Sequence, residues 1–464
     1  MKSKSTSDFQ LSRAYRLFAA FVAIAVLTGC APSFSDLGPC AVCFGPPTQI
    51  SLEGTLSGLV GSRLQLQNNA AGGPQFNGAA SNGTAVAFAA SPFNTAYDLT
   101  VQTQPTNPSQ TCIVTNGTGM AGASDATNIT VICTTNPPRF AYVVNRGSNN
   151  VSAYSVDAAT GTLAAIAGSP FSAGNLPLAI AVDQTGHFAY VVNRMDSTVS
   201  AFTIDRSNGA LTEINGSPFA TGSQPTSVAI DPSSTFVYVT NSGANTVSVY
   251  SIAPASGALT AVAGSPFATG TSPAAVTINP LGFNVYVANQ SDGTVSVFSL
   301  DNGALTPIDG SPFAAGIGPN ALSNDPSGQY LYIADSTANS LWGLASGVEI
   351  EGSPFVTGIT ASSVAVDPVN NFVYVTNLGS NDISAFAIGA TTGALTAIAG
   401  SPFAAGTQPA SVAVDPTGMF AYVANAGSDT VSVYAIDATT GELSPIGGSP
   451  FVTGASPAAI AISD

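Results

Sequence analysis

The chain has 464 residues with a formal net charge of −16, and 45% of them are hydrophobic while only 7% are charged. That charged share is about a quarter of the usual one. From Cys30 onward the basic residues are Arg63, Arg139, Arg146, Arg194 and Arg206. So few cations cannot neutralise phosphates, which excludes nucleic acid as a partner and disfavours polyanionic substrates.

Residues 1–29 are predicted to be a lipoprotein signal peptide. A basic segment comes first, with Lys2, Lys4, Arg13 and Arg16. The apolar run from Leu17 to Leu27 is too short for a comfortable membrane span and is typical of a signal peptide. It leads into Leu-Thr-Gly-Cys, ending at Cys30, which resembles the bacterial lipobox. The alternative is a cysteine at an ordinary signal-cleavage site.

The lipobox resemblance implies that Cys30 carries a lipid, so that the membrane is a partner through this anchor. The protein is then expected in the bacterial cell envelope, and Ala31 in place of an aspartate favours the outer membrane. Residues 30–45 are interpreted as a tether. Its Cys40 and Cys43 form a C-x-x-C, which favours a structural disulfide or passive thiols over a redox or zinc site, because no second C-x-x-C and no βαβ pattern accompany it.

Residues 46–135 are predicted to form a separate immunoglobulin-like β-sandwich. Short strands are expected at Ser51–Leu56, Arg63–Asn68, Thr84–Phe88, Tyr97–Gln104, Thr111–Asn116 and Asn128–Thr134. Cys112 and Cys133 lie on the last two, and in an exported protein they are expected to form a disulfide. The pattern TQPxxPxQTCxVxNGxG…ITVxC, from Thr103 to Cys133, resembles bacterial surface-protein modules, which implies a spacer.

Residues 136–464 contain seven copies of a unit of 42 to 48 residues. A tyrosine begins each copy, at Tyr142, Tyr190, Tyr238, Tyr286, Tyr332, Tyr374 and Tyr422, and each copy also contains the tetrapeptide GSPF. Four short runs rich in Val, Ile, Tyr and Thr fill each unit between turn residues, which indicates a β-propeller with four strands per blade. The region begins at a second strand, Arg139–Asn145, and ends with a lone first strand, Ala458–Ser463, so the two ends are expected to share a blade. The chain is therefore predicted to be all-β, with a seven-bladed propeller after the small sandwich.

The repeats follow the pattern YVxN…VSVY…GxLxxIxGSPF…PxxVAVDPxG, which resembles the YVTN-repeat or lactonase-like seven-bladed β-propeller family. The resemblance covers well over half of the chain. It implies the fold and raises lactone hydrolysis as an activity, because the family includes 6-phosphogluconolactonases and relatives of muconate cycloisomerases. The family's sites use His, Arg and Glu around the channel mouth, but those residues do not map onto this sequence. His187 is the only histidine and belongs to a turn on the opposite face, and the glutamates of the repeats fall near fourth strands.

Residues that recur from blade to blade are expected to serve the fold, so the candidate ligand-binding residues are those at which the repeat is broken. The asparagine of YVxN and the aspartate of the Asp-Pro turns are interpreted as structural. The departures are Arg146, Arg194, Asp335, Asn320 and Asn324, joined by Gln224 and Gln408 in equivalent loops. Two arginines on one face could hold a carboxylate or a sugar acid, or could instead be solvated or paired with Asp196. Trp342, in the shortened fifth repeat, is expected to serve packing.

Three functions are compatible with the sequence, the third being a structural surface-layer component. The favoured one is an envelope-anchored binding or scaffold protein for another protein or a small neutral or acidic carbohydrate-like ligand. The alternative is a lactone hydrolase of the 6-phosphogluconolactonase-like family acting on a non-phosphorylated lactone, with water activated by Asp335. No cofactor is predicted, and metal sites with several His or Cys ligands are excluded because the propeller has no cysteine and one histidine, which leaves a calcium site of carboxylates and carbonyls as the alternative.

Overall fold

A computed structural model describes residues 49–61, 64–69, 76–77, 83–106, 108–122, 126–137, 139–369 and 371–463. The signal peptide, Cys30, Arg63 and the Cys40–Cys43 pair therefore lie outside the described residues. All regular elements in the described part are β-strands. It contains no helix with the length and apolar character needed to cross a membrane.

The N-terminal module consists of two four-stranded sheets. Its strands are β1 (Gln49–Ser57), β2 (Gln65–Asn68), β3 (Phe76–Asn77), β4 (Gly83–Pro92), β5 (Ala96–Thr103), β6 (Gln110–Thr115), β7 (Thr118–Met120) and β8 (Ala126–Thr135). The strand orders are β4-β1-β8-β6 and β3-β2-β5-β7, so the six expected strands are present and two short edge strands, β3 and β7, are added. Leu56 and Val131 of the first sheet share one buried core with Leu66 and Leu99 of the second. The module is thus a β-sandwich, and its immunoglobulin-like topology stays a prediction.

The Cys112–Cys133 disulfide is confirmed. The two cysteines face each other across the antiparallel pair β6–β8, and both side chains are buried in the sandwich core. The bridge therefore joins neighbouring strands inside the core, where alternation along each strand directs both side chains inward.

Seven sheets follow. Blade 1 contains β9 (Phe140–Asn145), β10 (Asn150–Val156), β11 (Leu163–Ala165) and β12 (Phe171–Ser172). Blade 2 contains β13 (Pro177–Val182), β14 (Phe188–Asn193), β15 (Thr198–Ile204), β16 (Leu211–Glu213) and β17 (Phe219–Ala220). Blade 3 contains β18 (Pro225–Ile230), β19 (Phe236–Asn241), β20 (Thr246–Ile252), β21 (Leu259–Ala261) and β22 (Phe267–Ala268). Blade 4 contains β23 (Pro273–Ile278), β24 (Asn284–Asn289), β25 (Thr294–Asp301), β26 (Ala304–Pro307) and β27 (Phe313–Ala314).

The remaining blades have the same composition. Blade 5 contains β28 (Pro319–Asn324), β29 (Tyr330–Asp335), β30 (Ser340–Ala345), β31 (Val348–Glu349) and β32 (Phe355–Val356). Blade 6 contains β33 (Ala361–Val366), β34 (Phe372–Asn377), β35 (Asp382–Ile388), β36 (Leu395–Ala397) and β37 (Phe403–Ala404). Blade 7 contains β38 (Pro409–Val414), β39 (Phe420–Asn425), β40 (Thr430–Ile436), β41 (Leu443–Pro445) and β42 (Phe451–Val452). The last strand of the chain is β43 (Pro457–Ser463).

The seven-bladed architecture and its closure are confirmed. The innermost strand of each blade contacts the innermost strands of both neighbours, from β13 through β18 to β38 and β43, and β43 contacts β13. β43 pairs antiparallel with β9, so the last strand of the chain completes blade 1. The inner strands therefore surround a central channel, and no blade is left with an open inner edge.

The outer edge of each blade differs from the expected single fourth strand. The fourth strand is short, at two to four residues, and a separate two-residue strand that begins with the phenylalanine of GSPF pairs with the other end of the third strand. In blade 3, for example, β20 pairs with β21 at one end and with β22 at the other. The GSPF segment thus divides the outer edge in two, because its glycine adopts a positive φ and its proline cannot donate to a sheet.

Candidate functional site at the mouth of the central channel

The channel has two ends with different chemistry. At the end called here the loop mouth, each inner strand is preceded by one residue of a surface loop, namely Leu176, Gln224, Ser272, Gly318, Thr360, Gln408 or Ser456. At the other end, the turn mouth, each inner strand runs into a turn, most of which begin with an aspartate. These two ends are where the sequence-predicted residues are found.

Backbone hydrogen bonds place the two arginines at the loop mouth. The residue after the YVxN asparagine donates its N–H to the carbonyl of the residue that precedes an inner strand of the same blade. Arg146 N donates to Ser456 O at 3.1 Å, and Arg194 N donates to Leu176 O at 3.1 Å. The bond fixes each arginine backbone at the rim, so the two side chains lie on the adjacent blades 1 and 2.

The guanidinium groups of both arginines bond to neutral partners. Arg146 Nε donates to Ser456 Oγ at 2.8 Å, and Arg194 Nη2 donates to Gln224 Oε1 at 3.3 Å in blade 3. Asp196 makes no ion pair with Arg194 within the described part of the chain, and its carboxylate accepts the backbone N–H and the side-chain amide of Asn175. The backbone and side-chain bonds from Asn175 lower the pKa of Asp196. Both cations therefore retain N–H donors directed to solvent or to a ligand.

Four of the seven candidate residues occupy consecutive blades of the loop mouth. Gln408 belongs to blade 7, Arg146 to blade 1, Arg194 to blade 2 and Gln224 to blade 3. Three of them are exposed and Arg194 is half-buried. The opposite side of the same mouth carries the exposed apolar side chains Ile317 and Ile359, which sequence reasoning overlooked. Their sequence positions could have indicated them, because the equivalent loop positions of blades 2 and 3 hold the polar residues Asn175 and Ser223.

Asp335 is placed near this mouth but is not presented to it. Its side chain is fully buried, and its carboxylate accepts four backbone N–H groups, from Ile317, Gly318, Thr337 and Ala338, at 2.6 to 3.1 Å. In other blades the corresponding asparagine donates to side chains of the third strand, as Asn193 does to Thr198 and Ser200. The aspartate of blade 5 instead fixes its own loop, so its lone pairs are occupied and it touches no solvent.

The two candidate asparagines of blade 5 bridge inner strands. Asn320 Nδ2 donates to Ser362 O of blade 6 at 3.2 Å. Asn324 Nδ2 donates to Thr277 Oγ1 at 3.2 Å and to Ile278 O at 3.1 Å in blade 4. Because a six-residue strand separates its ends, Asn324 lies toward the turn mouth and does not join the arginines.

The turn mouth contains a cavity of about 420 Å³ with a mixed polar and apolar wall. Valine, alanine and proline side chains from the ends of the inner strands line it, together with Asn324, Ser463 and the sandwich residues Pro108 and Ser109. The aspartates of this end hold their own turns, as Asp231 does by accepting the N–H groups of Thr235 and Phe236. His187 belongs to this side of the propeller, is exposed, and bonds to Thr185 Oγ1 at 2.8 Å. None of the residues that line this cavity is a Lys or an Arg.

Comparison with known proteins identifies a family whose sequence pattern the chain matches. The family model described as "Lactonase, 7-bladed beta-propeller" matches residues 95–222, 215–317, 267–346 and 348–460. A search of curated protein sequences gives no match.

Solved structures of similar fold come from several bacteria. A "putative 6-phosphogluconolactonase" from Bacteroides fragilis is 19% identical with a TM-score of 0.63, covering 71% of this chain and 99% of its own. A protein from Lactobacillus plantarum is 24% identical with a TM-score of 0.61, covering 71% and 100%. The periplasmic gluconolactonase of Pseudomonas aeruginosa is 18% identical with a TM-score of 0.61, covering 70% and 99%. At these identities the structures show a common fold.

Proposed function

Because the chain belongs to the lactonase family of seven-bladed β-propellers, we propose that it hydrolyses a non-phosphorylated lactone at the loop mouth. The observation that carries the proposal is the pair Arg146 and Arg194, which lie on adjacent blades with their guanidinium groups bonded, among the described residues, to the neutral side chains of Ser456 and Gln224. The family and the gluconolactonase of similar fold favour this function over the scaffold that the sequence alone suggested.

The proposed reaction uses hydrogen-bond donors at the position where negative charge develops on the substrate. Water adds through its oxygen to the lactone carbonyl carbon, and the negative charge that develops on the carbonyl oxygen accepts hydrogen bonds from guanidinium N–H groups. The ring C–O bond then breaks, the ring oxygen takes a proton that came from the water, and a hydroxy acid is formed. Its carboxylic acid proton passes to solvent. The product carboxylate stays beside two cations, which suits a guanidinium pair.

The shape of the loop mouth and the charge of the chain restrict the substrate. Gln224 and Gln408 offer amides to the hydroxyl groups of a sugar lactone, whereas Ile317 and Ile359 are exposed apolar residues in the loops of blades 5 and 6. A net charge of −16 disfavours approach of a phosphate dianion, so a neutral or singly charged lactone is the substrate class. Asp335 has no part in this proposal, because its carboxylate is buried and occupied.

The test is hydrolysis of glucono-1,5-lactone, glucuronolactone and 6-phosphogluconolactone by the purified chain, followed by proton release above the spontaneous rate. Arg146→Ala and Arg194→Ala are each expected to lower kcat/KM by about 10- to 100-fold through loss of charge stabilisation. Arg206→Ala is the matched control, since it removes the same charge from an exposed residue in the outer turn of blade 2. Absence of turnover, or equal turnover in all variants, would return the scaffold function to first place.

We also propose that the enzyme works in the cell envelope, anchored through a lipid on Cys30. The support is the signal-like segment and the lipobox-like Leu27–Cys30. Metabolic labelling with a palmitate analogue is expected to mark the wild type and to spare Cys30→Ser. An unlabelled wild type that fractionates as soluble protein would refute the anchor.

A further inference from the structure

One blade interface lacks an aromatic ring that the other six have. In six blades the second strand begins with an aromatic side chain that lies against a glycine in the outer turn of the next blade. The pairs are Phe140 on Gly209, Phe188 on Gly257, Phe236 on Gly303, Tyr330 on Gly393, Phe372 on Gly441 and Phe420 on Gly161. Blade 4 has Asn284 at this position, in the same register, because Asn284 pairs with Ser299 as Phe236 pairs with Ser251. At the interface between blades 4 and 5 the corresponding glycine, Gly347, lies against Phe313 from the outer edge of blade 4, so the ring at the start of the second strand is missing.

A second departure occurs on the facing side of the same interface. The third strand of blade 5, β30, has six residues where the third strands of the other blades have seven or eight, and its hairpin closes through Ser346 and Gly347 alone. In consequence Tyr286 is only half-buried, whereas the corresponding tyrosines of the other six blades are fully buried. Asn284 in blade 4 and the short hairpin of blade 5 are thus two separate changes at one interface, and both leave Tyr286 less covered.

The result is a cavity of about 300 Å³ between blades 4 and 5. Leu281, Phe283, Tyr286, Val297, Phe313 and Leu344 are among the fifteen residues that line it, and none of the fifteen is Asp, Glu, Lys or Arg. Phe283 is 66% exposed at the rim. This volume is at the lower end of the range for small-molecule sites, so an occupant must be small and uncharged.

The side-chain oxygen of Asn284, at this cavity, accepts no hydrogen bond within the described part of the chain. Asn284 Nδ2 donates to Phe298 O over a long 3.4 Å. Asn279, in contrast, uses both ends of its amide, donating to Gly328 O at 2.9 Å and accepting from Leu281 N at 2.8 Å. Asn284 Oδ1 is therefore available as an acceptor at the edge of this wall, which also includes the polar residues Asn279, Gln329 and Ser346.

We propose that this cavity is a binding site for a small neutral phenol, whose ring takes the position of the missing aromatic side chain and whose hydroxyl donates to Oδ1 of Asn284. The other six interfaces show that a six-membered ring packs at this position. The cavity lies on the turn-mouth side of the propeller, since Asn279 and Gly328 belong to turns that follow inner strands, and it does not depend on the hydrolase activity proposed for the loop mouth.

The probe is p-cresol, titrated into the full chain by calorimetry and by ligand-observed NMR. Saturable binding of one molecule is expected with a dissociation constant of about 1 mM or lower, as suits a ligand of this size. Asn284→Phe restores the ring and is expected to weaken binding more than tenfold. Thr235→Phe is the matched control, since it adds the same ring at the exposed position of blade 3 that corresponds to Phe283, and should leave binding unchanged.

Asn284→Ala separates the hydrogen bond from the cavity. It is expected to weaken p-cresol several-fold and to leave toluene unaffected, and benzoate should not bind the wild type. Unchanged p-cresol binding in Asn284→Phe, or no saturable binding to the wild type, would overturn the proposal. So would self-association of the wild type that Asn284→Phe abolishes, because the cavity would then hold a side chain of a second copy.

Discussion

In four of the seven repeats, the tyrosine that begins the repeat joins neighbouring blades. Tyr190 OH donates to Gly257 O of the next blade at 2.8 Å, and Tyr142, Tyr332 and Tyr374 make the equivalent bond at 2.8 to 3.0 Å. Burial raises the pKa of these hydroxyls, so they remain donors at any physiological pH. The repeated residue that first revealed the period is therefore an inter-blade link in these four repeats.

Tyr190→Phe is expected to lower the free energy of unfolding by about 1–3 kcal/mol, because it leaves the buried Gly257 carbonyl unpaired. Tyr422→Phe is the control, since the buried Tyr422 hydroxyl has no partner among the described residues, and its loss should be neutral or stabilising. Urea unfolding measures both. Equal losses would show that ring packing and not the hydrogen bond sets the effect.

Asp415, in the turn after β38, should make stability depend on pH in an unusual direction. Burial raises its pKa against the opposing hydrogen bonds from Met419, Thr417 and Phe420. The folded state then holds this proton more tightly than the unfolded state, so the contribution of Asp415 to stability falls as pH rises from about 4 through the folded pKa. Asp415→Asn should flatten this part of the stability profile.

The matched variant for that profile is Asp157→Asn. Side-chain and backbone bonds from Thr160 and a backbone bond from Ala159 lower the pKa of the exposed Asp157. Its contribution is present above the unfolded value and is lost as pH falls through the folded pKa, opposite in sign to that of Asp415. Denaturant midpoints from pH 3 to 7 test the pair, and identical slopes for the two variants would contradict the assignment.

At the scale of the strand, the serine of GSPF holds the outer edge of every blade together. Where the fourth strand ends, a backbone N–H in the middle of the third strand would lack a partner, and the serine Oγ accepts it. Val249 N donates to Ser265 Oγ at 2.8 Å, and the same bond at 2.8 to 3.1 Å occurs in the other six blades. The serine thus supplies the hydrogen-bond acceptor for a third-strand N–H that has no partner where the outer edge is divided in two.

Ser265→Ala should cost about 1–3 kcal/mol of unfolding free energy, since it leaves the Val249 N–H unpaired beneath the edge. Ser251→Ala is the control, because Ser251 Oγ makes a long bond of 3.3 Å to Thr260 O in an exposed position. Thermal unfolding ranks the two. A loss in Ser251→Ala as large as that in Ser265→Ala would contradict the role given to the motif.

At the scale of the molecule, closure depends on the last strand. β43 pairs with β9, contacts β38 and β13, and places Ile460 in the core shared with blade 7. Without it, blade 1 would expose the edge of β9 and the propeller would have two free ends.

Deletion of residues 456–464 should abolish cooperative unfolding and cause aggregation, as followed by size exclusion and circular dichroism. Removal of residue 464 alone is the control, because it leaves β43 complete, and it should unfold like the wild type. A monomeric, cooperatively unfolding deletion variant would show that closure is dispensable.

The sequence alone determined the period, the number of blades and the shared first blade. Each follows from local signals repeated seven times, so an error in one copy is corrected by the others. It also placed Arg146 and Arg194 on one face, because strand order dictates at which end of a blade a loop lies. The same logic correctly separated His187 from them.

Only the tertiary structure decided what the departures from the repeat do. Asp335 and Asn324 read in the sequence as polar breaks, yet neighbouring backbone groups occupy their side chains. The short strand at GSPF and the cavity beside Asn284 arise from contacts between segments that are distant in sequence. Periodicity reports which residues are alike, whereas the role of an unlike residue depends on which atoms of other blades lie against it.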